Sequence, residues 1–317
     1  MPGFTTHYLF GVNAFQQLEH NALKQAIHSQ RAAYSLGLQG PDIFFYFLPA
    51  IYTNNIGSIA HTERTGRFLQ HLLESRKLFH NKKEQQIAAA YTAGFLGHYI
   101  LDTRCHPYVY WKSNFSQKNS RYHGCHMELE AAIDTKLLQL YKHCPPSAFR
   151  QNSTIPLTCT QLRTVSSMLY YACRKTYPKS GVLYAVIYAS IRSMQIGTRW
   201  LHDPSGKKKN YLCKLEQIIL GYPLLSALIP GDTQTVHMDP LNILKTPWRN
   251  PWQQSRIFTD SFLELMEQAQ NDYLKILNLF NSLPAFTCVR SKQQTQFLLE
   301  KLGNNSYHSG LDCRIPS

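Results

Sequence analysis

Apolar residues recur every three or four positions along most of this chain. They do so over Asn13–Leu36 (Phe15, Leu18, Leu23, Ile27), over Thr62–Phe79 (Phe68, Leu72, Leu73, Phe79) and over Glu128–Leu140 (Leu129, Ile133, Leu137, Leu140). Lys83–Asp102 is a longer apolar run, and Thr164–Tyr177, Val182–Leu201, Asn210–Leu220 and Arg256–Phe280 continue the pattern. A period near 3.6 predicts helices that turn one face to a core. Few runs alternate strictly and Asn-Gly or Asp-Gly hairpin signals are absent, so the pattern predicts an all-α fold. Proline-rich or polar stretches at Cys144–Thr158, Pro204–Asn210 and Pro230–Trp252 read as loops. The expected organisation is a helical domain over 1–201 and a helical extension over 202–317 packed on it. Residues after Ser291 are polar and read as loosely ordered.

Composition adds three constraints. The 33 Lys and Arg against 19 Asp and Glu leave a formal charge of +14, which favours anionic partners such as phosphodiesters, nucleic acid or an anionic membrane surface. The eight cysteines form no CxxC pair, so neither a sulfur-rich zinc finger nor a disulfide scaffold is indicated. The longest apolar stretches are too short to span a bilayer. The first residues lack a basic segment followed by an apolar one. A soluble, cytoplasmic protein is the expectation.

The chemistry concentrates in the histidines, ten of the 14 lying in the first 126 residues. His98 and Asp102 are four apart in an apolar helix, so both side chains leave one face and can reach one ion. His106 continues that spacing, and Pro107 predicts that His106 sits where the helix breaks. His126 and Glu130 repeat the arrangement, and an imidazole one turn from a carboxylate suits Zn²⁺. Burying His98 and Asp102 in an apolar helix without a partner is costly, which argues for a ligand. Gly94 and Gly97 predict close approach of a neighbouring helix. Asp42 precedes the aromatic run Ile43–Phe47, and His61 lies at an expected helix start; alone, either reads as a turn or capping residue.

Taken together, the order His7, Asp42, His61, His98-xxx-Asp102, His106, His126-xxx-Glu130 resembles the bacterial zinc-dependent phospholipase C family, whose fold is shared with the S1/P1 nucleases. The resemblance covers roughly residues 1–135. It implies a multi-helix bundle and a phosphodiester hydrolase acting on phospholipids, with an S1/P1-like single-strand nuclease or a non-catalytic, zinc-stabilised helical protein as alternatives. It implies that His61, His98 and Asp102 bind one zinc, that His106, His126 and Glu130 bind a second, and that His7 joins a bridging Asp102 at a possible third. Asp42 matches the family's general base. The third ion of the family uses an N-terminal tryptophan, which is missing here; Pro2 would offer an amine after removal of Met1. Leu101 also stands where the family commonly has glycine.

Overall fold

A computed structural model of the chain describes residues 3–47, 49–50, 55–115, 122–219, 221–222, 225–232, 239–283 and 289–315. Helices dominate. The first three are α1 (Phe4–Gln17), α2 (Ala22–Ser29) and α3 (Arg31–Gly37), followed by a 3-10 turn at Gly40–Tyr46. Next come α4 (Ile56–Thr62), α5 (Thr65–Ser75), α6 (Lys82–Lys112) and α7 (Tyr122–Lys142). The remainder comprises α8 (Cys159–Thr176), α9 (Tyr184–Leu201), α10 (Lys207–Ile219), α11 (Phe262–Asn281) and α12 (Val289–Leu302). The all-α expectation holds, with one exception: β1 (Trp248–Asn250) pairs antiparallel with β2 (Gln253–Phe258).

That hairpin falls where the sequence predicts a loop and the start of a helix. Its turn is set by Asn250, whose Oδ1 accepts from the Trp252 amide at 3.1 Å across Pro251, an Asx-type turn. The strand is almost wholly exposed, so no alternation marks it. Helix α11 starts later than expected because Ser261 and Glu264 form a capping box there, satisfying two free helix-start amides. The Asn13–Leu36 periodicity likewise spans three helices, because Asn21 caps α2 through the Lys24 amide at 2.8 Å. Lys207–Lys209, expected in a loop, open α10, where Asp203 accepts from the Lys209 amide at 2.8 Å. Part of the loop expected over Pro230–Trp252, residues 233–238, lies outside the described residues.

Helix α6 is the axis of the bundle. Residues Ile87–Asp102 are buried with one half-buried exception, Ala89. Its Gly94 meets α3 at Gly37, where an added Cβ on either side would strike the other helix's backbone. Gly97 faces the Tyr273 ring of α11, and a Cβ there would lie 2.7 Å from Cζ. The close approach expected of both glycines is therefore present. Tyr273 donates to Ala93 O at 2.7 Å and its hydroxyl meets that of Tyr34 at 3.2 Å; Tyr34 donates to Gly11 O at 2.9 Å. These hydroxyls tie α11, α6, α3 and α1 together while satisfying buried polar groups.

Pro107 does not end the helix, contrary to the expectation for His106. Proline leaves the Thr103 carbonyl without its helical N–H partner. Gly310 of the C-terminal loop, at φ +67°, packs directly on that oxygen, where any Cβ would collide. The helix nonetheless runs on to Lys112, held by the burial of Cys105–Val109 in the bundle, and His106 stays on the face of His98 and Asp102.

Helix α1 has no side-chain cap of its own at Gly3. Asp134 of α7 supplies one from across the bundle, accepting from the Thr5 amide (3.1 Å), the Thr6 amide (2.8 Å) and the Thr6 hydroxyl (2.6 Å). Burial pushes its carboxyl up to about 6, with the hydrogen bonds to Thr6 and Thr5 opposing the rise. Because the folded value is raised, the contribution is fullest below the unfolded value near 3.8 and is lost as pH rises through the folded one. Between pH 4 and 7 the native chain is expected to lose about 2 kcal/mol from this group. Asp134→Asn lacks that slope; urea unfolding of both chains across this pH range measures the difference, and parallel curves would refute it.

Candidate metal centre

Six of the eight predicted site residues are buried, and all eight are brought together at two adjoining places. His98, Asp102 and His106 project from one face of α6; His7 comes from α1, Asp42 from the 3-10 turn and His61 from α4. At the first place, His7 Nε2 lies 3.1 Å from Asp102 Oδ1 and His98 Nε2 lies 3.1 Å from Asp102 Oδ2. Asp42 Oδ1 lies 3.0 Å from His61 Nε2 and 3.8 Å from His98 Nε2. The His7 and His98 rings stack at 4.2 Å. At the second place, His126 Nε2 is 2.9 Å from Glu130 Oε1 on α7, with His106 beside them.

Three combinations of these residues could hold an ion: His7, Asp42 and His98; His61, His98 and Asp102; and His106, His126 and Glu130. Within each, the ligand atoms lie within 4.8 Å of one another. The first two share His98, so they describe one crowded place.

The histidines are aimed by their other nitrogens. His61 Nδ1 bonds Gly57 O at 2.6 Å, His98 Nδ1 bonds Leu38 O at 3.1 Å, and His106 Nδ1 bonds Tyr307 O at 2.7 Å. His126 Nδ1 meets the Ser113 hydroxyl at 3.1 Å. A carbonyl at Nδ1 requires the proton there, leaving Nε2 as a bare lone pair. In each of the four, Nε2 is thus the nitrogen left to face the site, the arrangement by which outer partners orient metal-binding imidazoles.

The inward atoms are left wanting. Nε2 of His7, His98 and His106 and both oxygens of Asp102 are buried with no hydrogen bond that meets geometric criteria, although some lie close to one another. Burial opposes ionisation of Asp102, yet the imidazoles of His106, His98 and His7 together hold its carboxyl well below the usual range. Burial, with His98 alongside, lowers His7, and burial drives His106 well down. Burial also acts against a charge on His98, but Asp102 and Asp42 override it and raise the group. Buried lone pairs converging on an anionic carboxylate without donors are what a divalent cation satisfies, and imidazole with carboxylate is a donor set suited to zinc.

Sequence reasoning missed the C-terminal loop. Tyr307 is fully buried; its amide donates to His61 O at 2.9 Å while its carbonyl holds His106. His308 follows, its ring 5.6 Å from that of His61 and 6.2 Å from that of His106. The loop is anchored by Tyr99, which donates to Leu302 O and accepts from the Asn305 amide, both at 2.9 Å. Residues expected to be loose therefore close the site. A tyrosine and a histidine side by side in an otherwise polar tail, Tyr307-His308, are the one mark the sequence carries there, and it has no periodicity. In the segment Pro247–Trp252, Trp248 stacks on Phe258 at 4.7 Å, and Trp252 meets Tyr110 at 5.0 Å beside His126. Pro2 lies outside the described residues.

A helical bundle with a buried imidazole–carboxylate cluster on a central helix defines a metal-dependent class. Within it, the family model described as zinc dependent phospholipase C matches residues 6–184, more than half of the chain and the whole span of the eight residues. The chain belongs to the zinc-dependent phospholipase C family. A search of curated proteins found no match, and neither did a search of solved structures.

Gly40 gives a test of the centre. It sits at φ +48°, and a Cβ there would fall 2.7 Å from His98 Nε2. Gly40→Ala is expected to cost about 1–3 kcal/mol in backbone strain and also to displace His98, lowering bound zinc. Gly181→Ala is the control: φ is +61° but nothing lies within 4 Å, so it is expected to lose stability alone. Thermal melts with metal analysis separate the two, and equal zinc in both would count against the assignment.

Proposed function

We propose that the chain is a phosphodiesterase that cleaves phospholipids at the glycerol side of the phosphate, releasing diacylglycerol and a phosphorylated headgroup. The observation that carries this is the set of buried, unpartnered inward atoms on His7, His98, His106 and Asp102, in a chain whose family is zinc-dependent. His61, His98 and Asp102 would hold one zinc, and His106, His126 and Glu130 a second; His7, with Asp102 as bridge, is the place for a third. Bound zinc supplies a Lewis acid that polarises phosphodiester oxygens and eases ionisation of water.

The protein's own groups set the rest. Asp42 is the one side chain of the inner five that solvent reaches, 9% exposed against 0% for His7, His61, His98 and Asp102. Its carboxylate is the acceptor for the proton of the attacking water. The backbone carbonyls behind His61, His98 and His106 fix each Nε2 before substrate arrives, so no ring has to reorient. A second reading, single-strand nuclease activity, has one observation in its favour: Tyr110, Phe115 and Trp252 form an aromatic group beside His126, and such rings stack bases.

Metal analysis of chelator-free protein is expected to find two or more zincs per chain and a clear loss in His98→Ala. Less than one zinc, unchanged by that substitution, would sink the centre. Asp42→Asn is expected to keep its zinc while turnover of p-nitrophenyl phosphocholine falls by about 10²–10⁴-fold. Single-stranded DNA assayed alongside decides between the two readings, since preferential DNA hydrolysis would favour the nuclease.

A further inference from the structure

Helix α10 is built inside out. Its one buried residue is Glu216, which accepts from the Leu225 amide (2.6 Å), the Ser226 amide (3.1 Å) and the Ser226 hydroxyl (2.6 Å). The opposite face is apolar and open. Tyr211, Leu215, Ile218 and Ile219 stand at i, i+4, i+7 and i+8 with exposures of 69, 40, 83 and 68%. That spacing makes a single stripe along the helix. Lys207 and Lys214, both exposed, lie along one edge of it. At the helix start, Lys208 sits 5.1 Å over the Trp200 ring, joining the stripe to Trp200 and Ile196 of α9, which are 51 and 63% exposed. Arg192 and Arg199 are exposed on the same side of α9.

An apolar stripe bordered by lysines and arginines, with a tryptophan at its end, has the composition of a surface that enters the headgroup region of a bilayer. No helix among the described residues is long and apolar enough to cross a membrane, so such a surface would lie on the bilayer. Helix α9 adjoins the centre. Gly197 of α9 faces Tyr46 of the turn that carries Asp42, with a Cβ there 2.8 Å from the ring. We propose that the exposed faces of α9 and α10 form an interfacial docking surface for anionic phospholipid bilayers, seating the chain beside the lipid it cleaves. The choice of a lipid partner rests on the phospholipase reading above. The surface itself lies beyond the residues that the family model matches.

The test uses the full, zinc-loaded chain in vesicle flotation, with phosphatidylcholine alone and with phosphatidylserine added. The native chain is expected to float with the anionic vesicles and less with the neutral ones. Leu215→Asp/Ile218→Asp is expected to lower partitioning at least about tenfold. Lys207→Glu/Lys214→Glu, which leaves the stripe intact, is expected to lose most of the preference for anionic vesicles. Turnover of soluble p-nitrophenyl phosphocholine should be unchanged in both, while vesicle hydrolysis falls with binding. Equal flotation of the native chain and both variants would overturn the proposal. So would a native dimer that Leu215→Asp/Ile218→Asp converts to monomer without altering flotation, since the stripe would then be a contact between copies. Flotation is read without turnover, so an inactive chain that still floats counts against the phospholipase reading and not against this surface.

Discussion

Asp102 is a carboxylate with no exposure, on the central helix, with no hydrogen-bond donor correctly placed for either oxygen. Putting an isolated charge in such a place costs many kilocalories per mole, and a protein ordinarily neutralises the group or pairs it. Here three imidazoles crowd it at 3.1, 3.1 and 3.6 Å. They hold its proton off while burial holds protons off two of them. Much of the architecture follows from that knot. Helix α6 must run unbroken through Pro107 to keep His98, Asp102 and His106 in line, α1 must bring His7 against it, and the glycine contacts must let α3 and α11 close over it.

The same constraint explains why ordering reaches the far ends of the chain. A lone pair turned toward a cation stays turned only if the ring's other nitrogen is held, and a backbone carbonyl is a rigid holder. Leu38 O and Gly57 O perform this for His98 and His61 from nearby segments. His106 draws its partner from Tyr307, 201 residues away. That bond comes with the packing of Gly310 against Thr103 O, so the C-terminal loop lies against the proline turn and orients the histidine next to it. Removing the loop would undo both at once.

Local spacing made the His98–Asp102 and His126–Glu130 pairs legible, because i, i+4 geometry is fixed by the helix itself. The family order extended this to His7, Asp42 and His61, whose proximity depends on helix packing that periodicity does not encode. Tyr307 and His308 stayed hidden for a different reason: a loop held by backbone hydrogen bonds and a single buried tyrosine leaves no periodic trace. The Pro107 break was misjudged because the rule for proline is local, while the helix around it is held by burial of Cys105–Val109 in the bundle. The hairpin at Trp248–Phe258 escaped because an exposed strand needs no alternation.

Access to the centre is set by what burial leaves open. Asp42, His126 and Glu130 are reached by solvent at 9, 12 and 13% of their side chains, and His308 is half-buried between the two places. Near them lie the aromatic pair Tyr110 and Trp252 and, across His61, Phe45 at 5.4 Å. The deep residues His7, His98 and Asp102 stay out of direct reach. That division leaves His7, His98 and Asp102 sealed within the bundle while Asp42, His126 and Glu130 keep an edge that solvent reaches. His308, its ring 5.6 Å from that of His61 and 6.2 Å from that of His106, joins that edge from outside the matched family segment.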